Sequence, residues 1–282
     1  GASRAGLFLA RAPRRLLTGW RAMLATFSGL LPILAGFGVP ACVFGRYVSR
    51  RLESFADPAL VGALTNSIVT AAATAALTVG TALLLINGLR LSRTRLVGGA
   101  VRLASIGYAV PGGILALGLL YVLAGLDNRI DGWMRAGFGV STGLLLTGSA
   151  AAVIIGCSIR FLALAEATVR SGLEKLPPNL DEAARSLGRS SGQSARAVLL
   201  PLLKPAIATA AVLVFVDTVK ELSATILLRP FGFSTLATLV YENASRAAPA
   251  EGAAAAVLII ATALVPVLLL SRALANDRAA DL

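Results

Sequence analysis

The sequence predicts an all-α protein, a polytopic membrane bundle of about six transmembrane helices. The 282 residues are 56% hydrophobic with a mean hydropathy of +0.79, which is too apolar for a soluble domain of this length. Its apolar segments are continuous runs of about twenty residues, the length that a helix needs to cross a bilayer. A closed barrel, the other structure that satisfies the backbone in lipid, would instead show short segments of alternating polarity.

Six apolar runs are long enough to be spans. The third contains Pro111-Gly112-Gly113, where a missing backbone N–H and two glycines predict a kink. A kink there suits either the gate of an inner helix or a purely structural bend, and the sequence leaves both open. The spans are predicted at residues 24–44, 63–89, 99–123, 139–162, 205–228 and 253–270.

The charge distribution predicts the orientation. The net charge is +12 with no His. With the amino end in the cytoplasm, eighteen Lys and Arg fall in inside segments and seven in outside ones, as the positive-inside rule requires. Without basic residues interleaved with aromatic ones, a nucleic-acid partner is not expected. We therefore expect a multi-pass protein of the bacterial inner membrane with both termini cytoplasmic: a basic lead-in at 1–23, a transmembrane domain at 24–272 and a tail at 273–282.

A polar, helix-forming loop at 176–204 separates the fourth span from the fifth and predicts a docking site for a cytoplasmic partner. Asn179 can cap a first helix, with Glu182 at the third helical position as in a capping box. Gly188 is expected to end that helix, and Ser190 or Ser191 to cap a second. Pro201 and Pro205 are expected to mark the return to the membrane. Two helices around a glycine are also typical of helix-turn-helix DNA binding, which the flanking spans disfavour.

The loop resembles the signature of a known family. Glu182-Ala183-Ala184, then Gly188 after three residues, then Val198 and Leu200-Pro201, is similar to the loop of binding-protein-dependent ABC transporter permeases of the type I, MetI-like class. The family pattern has Ile where this chain has Val198. The resemblance implies that the loop is a coupling helix seated on an ATPase subunit. The residues expected to make this contact are Glu182, Ala183, Ala184, Leu187, Gly188 and Pro201.

The resemblance also implies a division of labour. The chain has no G-x-x-x-x-G-K-[ST] phosphate loop, so ATP is expected on a separate ABC ATPase and no cofactor on this chain. Further expected partners are an extracytoplasmic solute-binding protein, a second permease half (fused or a second copy) and membrane lipid.

Two other classes of membrane protein are disfavoured. A membrane enzyme is disfavoured, because no His is present and the carboxylates of the fifth span flank a Lys. A passive channel is disfavoured by the elaborate loop.

A second resemblance concerns the solute. The segments Lys220–Thr225, Leu228–Phe231, Thr235–Thr238 and Gly107–Gly112 are similar to the ferric-iron uptake permeases, which commonly have Pro where Ser223 stands. Members of that branch are often double-length chains, and the basic start without Met resembles the joint before a carboxyl-terminal half. Thiamine, sulfate, polyamines and phosphonates are carried by related permeases and remain alternatives.

Charged residues in the fifth span indicate a translocation pathway. Asp217, Lys220 and Glu221 share one helical face, and each charge in lipid costs about 2.5–3.5 kcal/mol, so they should face the bundle or an aqueous path. The alternative is a self-neutralising pair of Asp217 with Lys220. Ferric ion prefers oxygen ligands, which makes Asp217, Glu221, Tyr241 and Glu242 admissible contacts without a firm metal site. The predicted pathway residues are Tyr108, Pro111, Asp217, Lys220, Glu221, Tyr241 and Glu242.

Overall fold

The computed structural model describes residues 17–91, 94–177, 180, 184, 186, 188 and 190–280. Over these residues the regular structure is helical throughout, and six helices are long and apolar enough to cross a membrane. The all-α membrane bundle is thereby confirmed. The helices are α1 Trp20–Ser49, α2 Pro58–Leu91, α3 Arg95–Ile106, α4 Gly112–Phe138, α5 Ala151–Leu173, α6 Gly192–Val219, α7 Thr225–Leu228, α8 Leu236–Ser245 and α9 Ala253–Ala280, with π-helical turns at Leu34–Gly38 and Ala195–Leu199 and a 3-10 turn at Leu52–Ala56.

Three helices, α2, α5 and α6, form the centre of the bundle. Small residues line their contacts, and Ala82, Ala165 and Ala210 are fully buried. Small side chains let helix backbones approach closely, which is how helices associate in lipid without a hydrophobic driving force. Helices α5 and α6 approach closely at Gly172, where an added Cβ would overlap the Cβ of Ala206.

Replacing Gly172 with leucine should therefore force α5 and α6 apart. Overpacking of this kind costs about 1–3 kcal/mol, and we expect a lower unfolding temperature in detergent. The matched control is Gly125→Leu on α4, because a Cβ at Gly125 meets no atom within 4 Å. Equal unfolding temperatures for the two variants would contradict the close α5–α6 contact.

The third predicted span differs from the structure. Helix α3 ends at Ile106 and α4 begins at Gly112, with Pro111 as its N-cap residue. Proline disfavours the helical conformation of the preceding residue but is tolerated at a helix start, so it divides this segment instead of kinking it. The break is packed tightly, since a Cβ on Gly107 would overlap the carbonyl oxygen of Ile159. The predicted kink at 111–113 is thus a helix boundary.

The fourth predicted span is displaced toward the carboxyl end by about half of its length. Residues 139–150 form an ordered loop, and α5 begins only at Ala151. The Asp127 carboxylate accepts hydrogen bonds from the backbone N–H groups of Leu146 and Thr147, while Asp131 accepts those of Thr142 and Gly143. Two buried or loop-facing carboxylates thus satisfy the backbone of an apolar stretch that would otherwise need a helix.

The fifth predicted span starts and ends earlier than expected. Helix α6 runs from Gly192 through Pro201 and Pro205 to Val219, so these prolines do not mark its start. A π-helical turn at Ala195–Leu199 lies directly before Pro201, which has no N–H to bond within that turn. The backbone leaves the helix after Val219, and the short α7 follows.

Helix α1 stands apart from the rest of the bundle. None of its residues is buried, and large apolar side chains such as Met23, Phe27 and Ile33 are more than half exposed. Its second half contacts α9. A spanning helix with this little intramolecular burial leaves most of its apolar surface for lipid or for another protein.

Candidate functional site

The described part of the 176–204 loop has the predicted two-helix form. Ala184 and Ser186 are helical, and Gly188 lies in a turn with φ +80°. This left-handed conformation is open to glycine without steric cost, so the predicted break is confirmed. Ala184 is buried and Gly188 is exposed. Other predicted contact residues, Glu182, Ala183 and Leu187, and the capping residue Asn179, lie outside the described residues.

The second loop helix begins with the predicted serine cap. The hydroxyl of Ser190 accepts from the N–H of Gln193 at 3.3 Å, and the amide oxygen of Gln193 accepts from the N–H of Ser190 at 2.9 Å. This reciprocal pair is a capping box, here with Gln at the third position. It starts α6 inside the loop, so the second loop helix and the span are one continuous helix.

The loop lies beside the ends of two spans. Leu180 of the loop, Leu173 at the end of α5 and Leu199 of α6 line one cleft of about 410 Å³. Because the second loop helix continues into α6, and α6 packs against α5, a displacement of that helix would shift α6 relative to α5.

A charged cluster lies within the bundle, midway along α5. The Nε of Arg160 is 3.7 Å from the Oε2 of Glu221, and its guanidinium lies 5.9 Å from the ring centre of Phe161. The other oxygen of Glu221 accepts from the N–H of Ala224 at 2.8 Å. Glu221 is buried and Arg160 is about one fifth exposed. Nε and Nη1 of Arg160 have no hydrogen-bond partner among the described residues.

Two chain breaks meet at this cluster, and we call the region the junction, formed by Pro111, Gly112, Arg160, Glu221 and Ser223. A Cβ on Gly112 would overlap Nη1 of Arg160 and lie 3.1 Å from the Cβ of Ser223. The first break separates α3 from α4, and the second separates α6 from α7. The ion pair therefore connects the middle of α5 to both interruptions, which are the places where the bundle has the fewest continuous helical hydrogen bonds.

The predicted pathway residues fall into separate groups. Pro111 and Glu221 belong to the junction, and Tyr108 lies exposed in the same α3–α4 break. Asp217 pairs with Lys220 at 2.8 Å, the self-neutralising alternative considered above. Glu242 pairs with Arg229 at 2.5 Å, and the neighbouring Tyr241 is half exposed.

The four oxygen-bearing residues proposed as iron contacts do not form a cluster. Among the described residues no group of three or more His, Cys, Asp or Glu side chains could hold a metal ion. Each carboxylate of the set instead has its own basic partner, as the three ion pairs at Asp217, Glu221 and Glu242 show.

Sequence analysis missed Arg160 as a site residue, because it was counted among the inside loop charges. The signal was present: Arg160 lies nine residues into the apolar run that begins at Ala151. A charge at that depth is expected to be paired and functional. Asp127 and Asp131 were also missed, and their carboxylate-to-backbone hydrogen bonds depend on a chain reversal that no local pattern encodes.

A bundle of spanning helices, with an ordered two-helix loop at one end and an interrupted, charged junction inside, defines a membrane transport subunit. Residues 84–279 match the family described as "Binding-protein-dependent transport system inner membrane component". The chain belongs to this family. It is therefore a multi-pass inner membrane component of a transport system and not an enzyme, as the sequence predicted.

Several curated proteins are similar to this chain. The Fe(3+)-transport system permease protein FbpB 2 of Haemophilus influenzae is 30% identical over 247 residues, which are 87% of this chain and 46% of that protein. The chain thus spans about half the length of this relative. The probable molybdenum ABC transporter permease protein of Haloferax volcanii is 30% identical over 76% of each chain. The putative 2-aminoethylphosphonate transport system permease protein PhnV of Salmonella paratyphi A is 33% identical over 37% of this chain and 39% of its own.

Solved structures share the fold. A bacterial ABC transporter involved in the import of the acidic polysaccharide alginate superposes with a TM-score of 0.68, covering 90% of this chain and 94% of its own at 15% identity. The alginate transporter in complex with an alginate pentasaccharide-bound periplasmic protein gives a TM-score of 0.69, with 89% and 92% covered at 16% identity. The chain therefore shares the fold of these transporter chains.

Proposed function

We propose that this chain is the permease subunit of an ATP-driven importer and that its solute is ferric iron. The observation that supports ferric iron as the solute is the similarity to FbpB 2, which extends over 87% of the chain. Two further relatives named as ferric transport permeases match 43% of the chain at 36% and 32% identity. Ferric iron is a hard cation that prefers oxygen ligands, and the separate carboxylates Asp217, Glu221 and Glu242, each paired with a basic side chain, suit passage without a resident metal site.

In this proposal the loop at 176–204 faces the cytoplasm, as do both termini, and an ABC ATPase docks on it. The chain binds no cofactor itself, and ATP is used by the partner. Closure of the ATPase moves the loop, and the continuous helix α6, Gly192–Val219, transmits the movement to α5, against which it packs. The shift of α5 carries Arg160 and changes the spacing of the two breaks at the junction. This is a rigid-body switch of access between two packed states.

Two other partners complete the proposed assembly. A second permease half, fused or as a second copy, would cover α1, whose residues are all unburied in the single chain. An extracytoplasmic solute-binding protein would dock at the opposite end from the 176–204 loop. The ordered loop at 139–150 is the surface there that Asp127 and Asp131 hold in shape.

An oxyanion is the second candidate solute. Two observations favour it: the molybdenum-named relative matches 76% of each chain, and Arg160 presents two nitrogen donors without a hydrogen-bond partner among the described residues. Guanidinium N–H groups are well suited to tetrahedral oxyanions such as molybdate and phosphonate. The junction then acts as a weak transit site for an anion.

Transport assays separate these candidates. Proteoliposomes would contain the chain, its second permease half, its ATPase and its solute-binding protein, with radiolabelled ferric iron, molybdate and 2-aminoethylphosphonate offered in turn. We expect ATP-dependent uptake of ferric iron that excess molybdate does not reduce. Uptake of an oxyanion without iron would overturn the iron assignment but leave the importer role intact. Failure of the chain to co-purify with any ATPase would overturn the importer role itself.

A further inference from the structure

A cavity of about 580 Å³ lies between α2, the end of α5 and the start of α6, outside the junction and lined on one side by the second helix of the 176–204 loop. Its walls are mostly apolar, with Leu83 and Leu84 from α2 and Leu200 from α6. Three polar side chains line the same space: Asn87, Arg90 and Arg196. Leu84 is three quarters exposed on the bundle surface, so the cavity opens toward the surrounding lipid.

The polar part of the cavity lies at the ends of two helices that are long and apolar enough to cross a membrane. Arg90 ends one membrane-spanning length, Pro58–Arg90, and Gly192, which also lines the cavity, begins another, Gly192–Val219. Basic pockets between spans at this level attract anionic headgroups, whereas the apolar wall continues into the acyl-chain region. The cavity thus has the two-part chemistry of a phospholipid.

The side chain of Asn87 indicates which chemical group the bound lipid headgroup must carry. Its side-chain oxygen is buried and has no hydrogen-bond partner among the described residues. An amide oxygen only accepts, so the missing partner is a donor such as a hydroxyl group. Arg196 is exposed and forms no ion pair among the described residues, which leaves its guanidinium available to a phosphate.

We propose that this cavity binds one molecule of phosphatidylglycerol. One acyl chain lies along Leu83, Leu84 and Leu200, and the phosphate contacts Arg196 with Arg90 beside it. A glycerol hydroxyl donates to the side-chain oxygen of Asn87. Phosphatidylcholine has the phosphate and the chains but no headgroup donor and no net negative charge, so it fits only the apolar part.

Because of where the cavity lies, a bound lipid would help to hold the 176–204 loop in position. Arg196 lies within the π-helical turn Ala195–Leu199, which begins seven residues after Gly188. Turns of this type are frequent at functional sites. A lipid that bridges α2 to this turn stabilises the start of α6 against α2 and so holds the loop in register with the bundle. This inference depends on neither the transported solute nor the identity of the ATPase.

Native mass spectrometry of the full chain in detergent tests the site, with phosphatidylglycerol and phosphatidylcholine of matched acyl chains as probes. We expect the wild type to retain one phosphatidylglycerol in preference to phosphatidylcholine. Arg196→Gln should weaken this binding about fivefold, the factor that corresponds to about 1 kcal/mol for one basic contact with an anionic headgroup. The matched control is Arg102→Gln, an exposed arginine on α3 that does not line the cavity.

A second variant separates the specific site from diffuse charge attraction. Asn87→Leu removes the unpartnered acceptor, so in phosphatidylcholine nanodiscs it should unfold at a higher temperature than the wild type. In phosphatidylglycerol nanodiscs it should gain less stability than the wild type gains. Equal retention of both lipids, or equal losses from Arg196→Gln and Arg102→Gln, would overturn the proposal. So would loss of the bound lipid when a second copy of the chain or the ATPase joins the complex, because the cavity would then be a protein contact.

Discussion

Replacement of Gly188 by valine should reduce ATP-driven uptake more than tenfold while ATP hydrolysis by the assembled complex continues. Gly188 has φ +80°, a conformation that costs an L-residue about 1–2 kcal/mol and is a genuine outlier for a β-branched side chain. A Cβ there would meet no atom within 4 Å, so the variant is strained in its backbone and clashes with nothing. The chain would relieve the strain by changing the angle between the two loop helices. The loop would then no longer transmit movement to α5 and α6 in the right direction.

The measurement compares solute uptake with ATP hydrolysis in proteoliposomes of the complete transporter. Gly188→Asn is the matched variant, because asparagine tolerates the left-handed conformation better than other non-glycine residues. It should retain most of the uptake, with Gly188→Ala between the two. Wild-type uptake by Gly188→Val would contradict the coupling role of this turn, since the substitution leaves every described side-chain contact in place.

Replacement of Arg160 by methionine should destabilise the protein by about 3–5 kcal/mol, because it leaves the buried Glu221 carboxylate without its counter-charge inside the bundle. Glu221→Leu should have a comparable effect for the opposite reason, since it leaves the guanidinium uncompensated. The double variant removes both charges and should recover much of the lost stability. Thermal unfolding in detergent measures all three, and the difference between the double variant and the sum of the single ones gives the pair's coupling.

Uptake activity should not change in parallel with thermal stability across these three variants. If the ion pair at the junction takes part in switching, the double variant folds but remains inactive in uptake. Lys220→Gln is the control, because it breaks the neighbouring pair with Asp217, whose lysine is mostly exposed. Exposed pairs contribute about 0–1 kcal/mol, so this variant should unfold close to the wild-type temperature. Full uptake by the double variant would show that the Arg160–Glu221 pair is structural only.

The class of fold and the docking loop could both be predicted from local patterns. Apolar runs of span length identify helices in lipid because the bilayer leaves the backbone no other open-ended solution. The loop was recognisable because Gly188 and Ser190 use short-range chemistry: a cap and a left-handed turn need only neighbours in sequence. Gly188 and Ser190 have the predicted roles in the structure. The pairing of Asp217 with Lys220 was likewise visible as a three-residue spacing.

The boundaries of the spans were harder to predict from the sequence. The physical reason differs between the loop at 139–150 and the break at Pro111. Residues 139–150 are as apolar as a span, but two carboxylates from the preceding helix satisfy their backbone and permit a loop. Pro111 was expected to bend a helix that continues past it. It instead caps a new one, because the tight contact of Gly107 with Ile159 stabilises the interruption. In each case a partner distant in sequence decides whether an apolar residue is helical.

The sequence by itself determined that this protein crosses a membrane as a helix bundle and that a polar loop with a turn at Gly188 joins two of its spans. These properties follow from composition, periodicity and local turn chemistry, whereas its place among transport subunits was implied by the resemblance of that loop to a known family. Only the tertiary structure decided that Arg160 is paired with Glu221, and that the two chain breaks meet beside this pair. Sixty-one residues separate the members of that pair. Their interaction exists because α5 and α6 pack closely enough, through small side chains, to bring opposite charges together away from water.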